Sequence, residues 1–97
     1  MIDIVNYIPY GHDNAIKRED LVKLTGLPDP QMRALIRRAR FDGEVILNVE
    51  DKKGYFRPIL PDEIELVHKF YKATAGRRAA AEIVMERLEE VMEQYPL

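Results

Sequence analysis

The chain has 97 residues, of which 46% are apolar, so one small domain with a modest core is expected. It contains neither cysteine nor serine, which excludes disulfides, thiolate metal sites and the commonest covalent nucleophiles. We therefore expect no enzymatic activity, no cofactor and no metal site. No apolar run approaches the ~20 residues of a membrane span, and the first residues do not resemble a signal peptide. The cytoplasm is the expected location, and no membrane partner is expected.

The net charge of −2 hides an uneven distribution along the chain. Residues 1–16 carry two acids and no base, and residues 61–97 carry eight acids against five bases. Residues 17–57, in contrast, carry ten Lys and Arg against seven Asp and Glu, a net charge of +3. A basic middle between acidic flanks favours an anionic partner for the middle of the chain.

Two short helices are predicted near the N-terminus. Residues 2–8 place their branched apolar side chains on one side, which predicts a first helix. A second helix is predicted over 18–25, with Leu21 and Leu24 pointing inward at a spacing of three residues. Gly26 is expected to end this helix in the left-handed conformation that favours glycine.

A third helix is predicted over 30–41, because Asp29 is a good N-cap residue and Pro30 a good first helical residue. Its apolar positions have a spacing of three to four residues: Met32, Leu35, Ile36 and Ala39. Phe41 is expected to close the helix. Two helices joined by a short turn that contains a glycine are typical of a helix-turn-helix.

Residues 45–58 predict a β-hairpin. Alternation over 45–50 indicates a half-buried strand, residues 51–54 form a polar turn that ends in glycine, and 55–57 form a second strand that Pro58 ends. A helix-turn-helix followed by such a hairpin predicts a mostly α fold, a winged helix-turn-helix with a three-helix core and a β-hairpin wing, over residues 1–60.

The exposed side of helix 30–41 is the predicted reading surface for double-stranded DNA. We expect Gln31, Arg33 and Arg37 to reach base edges, since Arg matches guanine and Gln matches adenine. Ala34 lies between them and lets the helix approach closely. Arg38 is expected on a phosphate, and so is Arg40.

Further cations are predicted to hold the DNA backbone. Lys17 and Arg18 lie where the preceding helix begins, and Lys52 and Lys53 lie at the tip of the wing, with Arg57 supporting them. If about five or six phosphates are neutralised, log K falls with log salt concentration at a slope of roughly −5.

Residues 61–97 are predicted to form a C-terminal helical extension, as one helix or as two divided at Gly76. Asp62 and Glu65 have the spacing of a capping box. The near-heptad apolar repeat predicts a homodimer, with these interface residues: Val67, Phe70, Val84, Leu88, Val91 and Tyr95. The alternative is that these residues fold back and complete the core of their own chain.

Residues 24–27 (LTGL), 33–40, 43–47 (GEVIL) and 54–56 (GYF) together resemble the winged helix-turn-helix of bacterial and phage regulators, with biotin-repressor-like DNA-binding domains as the nearest likeness. Residues 1–16 resemble small prophage-encoded DNA-binding proteins. The resemblance covers about residues 4–60. It implies a three-helix core with a wing and DNA as the usual ligand.

The sequence thus predicts a homodimeric protein that binds double-stranded DNA selectively, in transcriptional control or in phage replication or packaging. The alternative is a protein-interaction or assembly module that uses the same fold without DNA. His12 beside Asp13 is expected to be an idle loop pair rather than a metal or proton-transfer site.

Overall fold

The computed structural model of the protein describes residues 2–48, 53–74 and 82–97, and only the backbone at 82–84. Within these ranges the α-helices, in chain order, are α1 (Arg18–Thr25), α2 (Asp29–Phe41), α3 (Ile64–Thr74) and α4 (Glu82–Gln94). Two short 3-10 helices precede them, at Ile4–Tyr7 and His12–Asn14. The mostly helical class that the sequence predicts is confirmed. None of the helices described is both long and apolar enough to cross a membrane.

The N-terminal segment is a 3-10 helix of four residues rather than the α-helix predicted over 2–8. The Asp3 carboxylate caps it by accepting a hydrogen bond from the backbone N–H of Val5 at 3.2 Å. Ile4 and Ile8 are buried against α1 and α2, so the predicted apolar side is used although the helix is shorter.

The turn between α1 and α2 follows the local signals in the sequence. Gly26 adopts a left-handed conformation with φ 70°, and its N–H donates to the Val22 carbonyl at 2.9 Å. This conformation is costly for residues with a Cβ, which explains the glycine. Leu21 is fully buried, as predicted, but the prediction for Leu24 is wrong because its side chain is 60% exposed.

Helix α2 begins one residue earlier than predicted, at Asp29, and Pro28 is its N-cap residue without a side-chain cap. The Asp29 carboxylate binds two arginines instead of capping the helix. The buried side of α2 consists of Met32, Ile36 and Ala39, which join Ile4, Ile8, Leu21 and Ile46 in one apolar cluster, the N-terminal core.

The wing hairpin predicted over 45–58 is not found among the described residues, and residues 49–52, which include the first half of its predicted turn, lie outside the description. Isolated bridges replace the ladder: Leu47 pairs with Phe56, and Ile16 pairs with Tyr55. Gly54 passes so close to α1 that a Cβ there would overlap the carbonyl oxygen of Ile16.

The described residues Ile46, Leu47, Tyr55 and Phe56 are covered by apolar residues on both sides of the segment. Ile46 points into the N-terminal core, and its neighbour Leu47 points into a second cluster, because successive residues of an extended chain face opposite sides. Tyr55 and Phe56 divide in the same way. These described residues therefore lie between the two apolar clusters.

The second cluster, the C-terminal core, contains the residues predicted as a dimer interface. Val67, Phe70, Leu88 and Val91 are buried within the protomer together with Leu47, Phe56 and Ile64, and Tyr95 packs against them. The four buried residues are therefore covered within the chain, as the fold-back alternative expects, and the homodimer itself stays an untested prediction. The side chain of Val84 lies outside the described residues, as does Gly76.

The C-terminal helices pack onto the body rather than extending from it. The C-terminal core crosses the predicted boundary at residue 60, and the Arg87 guanidinium donates to the Gly43 carbonyl at 2.7 Å. Helix α3 begins at Ile64, so the predicted capping box does not form. The Glu63 carboxylate instead accepts hydrogen bonds from the backbone N–H groups of His12 and Ile59, both at 2.9 Å.

Candidate nucleic-acid interface

Helix α2 turns one side away from the body of the protein. Its buried residues lie within about 60° of one another around the helix axis, since each residue advances by about 100°. The opposite side is exposed, and we call it the outer face of α2: Gln31, Arg33, Ala34, Arg37, Arg38 and Phe41. The five predicted DNA-contacting residues of this set are thus brought together on one accessible surface.

Asp29 fixes two of the predicted DNA-binding arginines. Its carboxylate oxygens lie 3.2 Å from Arg18 Nε and 2.9 Å from Arg33 Nε, so one acid joins the N-terminal ends of α1 and α2. All three side chains keep a third or more of their surface exposed. The ion pairs therefore orient both guanidinium groups while leaving them accessible to an anion.

Arg37 lies further along the outer face and makes no hydrogen bond or ion pair with any described residue. Arg38 donates to the Asp42 carboxylate at 3.4 Å, and its guanidinium lies 5.8 Å from the centroid of the Phe41 ring. Both arginines are exposed, and they lie on either side of a line drawn through Ala34 parallel to the helix axis. Neither is covered by the C-terminal helices.

Arg40 lies apart from this surface, and its predicted role on a phosphate stays an untested prediction. Its Nε donates to the Ile46 carbonyl at 2.9 Å, and Nη2 donates to Asn48 Oδ1 at 3.2 Å. The guanidinium also lies 5.2 Å from the centroid of the Phe70 ring. Arg40 joins α2 to residues 46–48 and to α3, and these contacts hold the Arg40 side chain against the body of the protein.

The cations predicted around the wing are dispersed. Arg57 does not support the wing tip, because its Nε donates to the Ile8 carbonyl at 2.8 Å and its guanidinium lies 4.0 Å from the Tyr10 ring centroid. Lys53 lies 3.6 Å from the Asp13 carboxylate. Lys17 is exposed at the start of α1. Lys52 lies outside the described residues.

His12 and Asp13 were expected to be a loop pair without contacts of importance, but Asp13 forms an ion pair with Lys53. The His12 ring lies 5.1 Å from the Phe56 ring, and its backbone N–H binds Glu63. These are structural contacts. No group of three or more His, Asp or Glu side chains in the described ranges is arranged to hold a metal ion.

Two apolar features beside the arginines were missed by the sequence reasoning. Phe41 is 57% exposed, although it was expected only to close the helix. A shallow apolar groove of about 390 Å³ also runs along the edge of the outer face and is lined by Ile2, Leu27, Gln31, Ala34 and Leu35. The position of Phe41 seven residues after Ala34 was a usable signal for the first feature. The groove needed the tertiary structure, because Ile2 is distant in sequence.

Comparisons with known proteins add no assignment to this geometry. The chain matches no protein-family model, and neither a curated protein nor a solved structure matches it significantly.

Proposed function

We propose that the chain binds double-stranded DNA by inserting the outer face of α2 into the major groove. The observation that carries the proposal is the exposure of Arg33, Arg37 and Arg38 on α2, clear of the C-terminal helices. As part of the proposal we take α1, the turn at Gly26 and α2 as a helix-turn-helix, the motif in which the second helix enters the groove. The biological process, whether transcription or a phage DNA transaction, follows from the target and is part of the same proposal.

The exposed residues divide into two roles. Ala34 and Arg37 lie near the middle of the outer face and Gln31 lies at its edge, and we assign these three residues to base edges. Arg18, Arg33 and Lys17 lie at the N-terminal ends of the two helices, where the phosphate backbone passes. Arg38 lies on the side of the outer face away from Arg33, and we assign it to a phosphate.

The number of phosphate contacts is smaller than the sequence predicts. Arg40 and Arg57 are bound within the protein, which leaves Lys17, Arg18, Arg33 and Arg38 as described candidates. With about four phosphates neutralised, we expect log K to fall with log salt concentration at a slope of roughly −3.5. Lys53, which lies 3.6 Å from the Asp13 carboxylate, is not counted among these four. Binding as proposed does not depend on a projecting hairpin.

Neither does the proposal depend on a second copy of the chain. The apolar residues predicted as a dimer interface are occupied within the protomer, so a homodimer requires another surface. We therefore propose binding by a single protomer to one site.

The test is DNA binding by the full chain, measured by fluorescence anisotropy with labelled random-sequence duplexes at low salt. The variant Arg33→Ala with Arg37→Ala removes two positive charges from the outer face. Because the base contact proposed for Arg37 contributes about 1–3 kcal/mol and the phosphate contact of Arg33 is lost as well, we expect its affinity to fall by roughly tenfold or more. Circular dichroism and thermal unfolding establish that the variant remains folded.

A matched control removes the same charge elsewhere. Lys69 and Lys72 are exposed on α3, and Lys69→Ala with Lys72→Ala is expected to leave affinity within about threefold of wild type. Equal losses in both double variants indicate a diffuse charge effect and contradict the proposal. So does the absence of binding to any duplex at low salt.

One observation favours a second candidate, a protein-interaction module. The exposed Phe41 and the apolar groove beside Ala34 are features of protein interfaces. In that case duplex DNA is not retained, and the double arginine variant and its control behave alike.

A further inference from the structure

The middle of the outer face of α2 is apolar although its borders are charged. Ala34 and Phe41 are seven residues apart and lie within about 20° of the same line along the helix, because seven residues complete nearly two turns. Arg37 lies on one side of this line and Arg38 on the other. An apolar line bordered by arginines on both sides is unlike an ordinary solvated helix face, which has no apolar middle.

The line is accessible along its length. Phe41 is 57% exposed, and the apolar groove begins at Ala34 and continues over Leu35 and Leu27 to Ile2. Gln31 lies on the rim of the groove and supplies an amide there. An apolar group on a partner can therefore be received beside Ala34.

The surrounding charge decides which partner fits. Arg33, Arg37 and Arg38 border the line, so the occupant carries negative charge beside an apolar group. In the major groove of duplex DNA this combination occurs at thymine, where the C5-methyl group lies between two phosphate backbones. A purely apolar protein surface lacks the negative charge.

We infer that Ala34 and Phe41 contact thymine methyl groups, so that the protein selects sites with thymines at two fixed positions. The inference rests on the proposed function and adds the base that is read. Ala34 and Phe41 are about 10.5 Å apart along the helix axis, at a rise of 1.5 Å per residue. This distance corresponds to about three base pairs when the helix follows the groove.

The experiment begins with selection of bound duplexes from a random pool by the full chain. Each thymine of the selected site is then replaced singly by deoxyuridine, which removes the methyl group and leaves base pairing unchanged. We expect two positions, about three base pairs apart, at which the replacement weakens binding by about fourfold, the effect of one buried methyl group.

Two variants connect each position to its residue. Ala34→Gly is expected to abolish the thymine preference at one position, and Phe41→Ser is expected to abolish it at the other. The measured quantity is the ratio of affinities for the thymine and deoxyuridine duplexes with the same variant, so a partial loss of folded protein cancels. Ile59→Ala shortens another exposed apolar residue outside α2 and is expected to leave both ratios unchanged.

The outcomes separate the two proposals. Duplex binding without any effect of deoxyuridine overturns the inference and leaves DNA binding intact. Thymine preferences that persist in both variants also overturn it, because other residues then read the methyl groups. If no duplex is retained by the wild-type chain, the proposed function fails and the inference fails with it.

Discussion

Two surfaces of the molecule carry a regular residue pattern, and both were expected to contact a partner. One is the outer face of α2, and the other is the apolar seam between α3 and α4, formed by Val67, Phe70, Leu88 and Val91. The structure treats them oppositely. The seam is buried within the chain, where Leu88 retains 2% of its exposure and Val67 none. The outer face of α2 remains exposed, and the Arg37 guanidinium makes no hydrogen bond or ion pair with any described residue.

The difference follows from what each surface requires. An apolar stripe is stabilised by any apolar surface that covers it, and the nearest such surface is the chain itself, at Leu47 and Phe56. A row of arginines is costly to bury without anions, so it stays in water until a partner supplies them. Apolar periodicity therefore predicts that a face becomes buried but not by which molecule.

The largest effect is expected at the seam. Leu88→Ala removes a buried side chain from the C-terminal core, and we expect the free energy of unfolding to fall by about 2–5 kcal/mol. Urea unfolding followed by circular dichroism measures this change. Leu24→Ala, at a side chain that is 60% exposed, is the control and is expected to change stability by about 0.5 kcal/mol or less.

Unfolding at two protein concentrations separates an intramolecular seam from an interface between copies. If the midpoint for the wild-type chain rises with concentration, the seam contributes to an oligomer and is not covered by its own chain alone. We expect the midpoint to be independent of concentration.

Neighbouring arginines of α2 test the same contrast within one helix. Arg40→Met removes the hydrogen bonds to Ile46 and Asn48, and we expect it to destabilise the protein by about 1–3 kcal/mol because the Ile46 carbonyl loses its charged donor. Arg37→Met is expected to leave stability within about 0.5 kcal/mol.

DNA affinity is expected to respond in the reverse order. Arg37→Met weakens binding, and Arg40→Met leaves the affinity of the folded fraction nearly unchanged. Thermal unfolding and fluorescence anisotropy of both variants measure the two responses. If Arg40→Met is fully folded and still loses much of its DNA affinity, Arg40 belongs to the DNA interface.

Substitution of Asp29 is expected to have a smaller effect on DNA affinity than substitution of Arg37, and in the opposite direction. Asp29→Asn removes the acid that binds Arg18 and Arg33, and because these pairs are exposed the change in stability is expected to stay below about 1 kcal/mol. Affinity for DNA is expected to rise by about threefold, since a negative charge near the phosphates is lost. Asp62→Asn removes an exposed acid elsewhere, and a similar rise there indicates an effect of net charge alone.

The smallest effect concerns one hydrogen bond across the seam. The Tyr71 hydroxyl donates to Glu89 at 2.8 Å, and this bond, with a smaller effect of desolvation and the Glu89 charge, raises the pKa of Tyr71 above its ordinary value of 10.0. Because the folded pKa is the higher one, the stabilising effect is complete below pH 10.0 and is lost as the pH rises through the folded pKa.

Absorbance titration of tyrosinate measures this shift. We expect Glu89→Gln to move the pKa of Tyr71 back toward its ordinary value, and the titration of Tyr71→Phe identifies which tyrosine is observed. An unchanged titration in Glu89→Gln means that the two side chains are not in contact, and the α3–α4 packing then differs from that described here.

The local signals in the sequence predicted α1, α2 and the turn between them well. Gly26 ends α1 as expected, and Met32, Ile36 and Ala39 form the buried side of α2. These features follow from interactions within a few residues, such as the left-handed turn and the helical repeat. The same reasoning identified the exposed residues of the outer face, because the opposite side of an amphipathic helix is exposed when the apolar side is buried.

Contacts between distant segments could not be predicted in this way. Arg40 carries the same side chain as Arg37, yet the Ile46 carbonyl and the Phe70 ring bind it. The alternating residues 45–50 indicated a strand with one buried side, but the two cores cover the described part, residues 45–48, from both sides.

The sequence by itself therefore determined the helices, the turn at Gly26 and the basic side of α2. Only the tertiary structure decided that the C-terminal helices complete the core of their own chain and that the segment after α2 is covered on both sides. The physical reason is that helix and turn formation depend on neighbouring residues, whereas burial depends on which distant apolar surfaces meet.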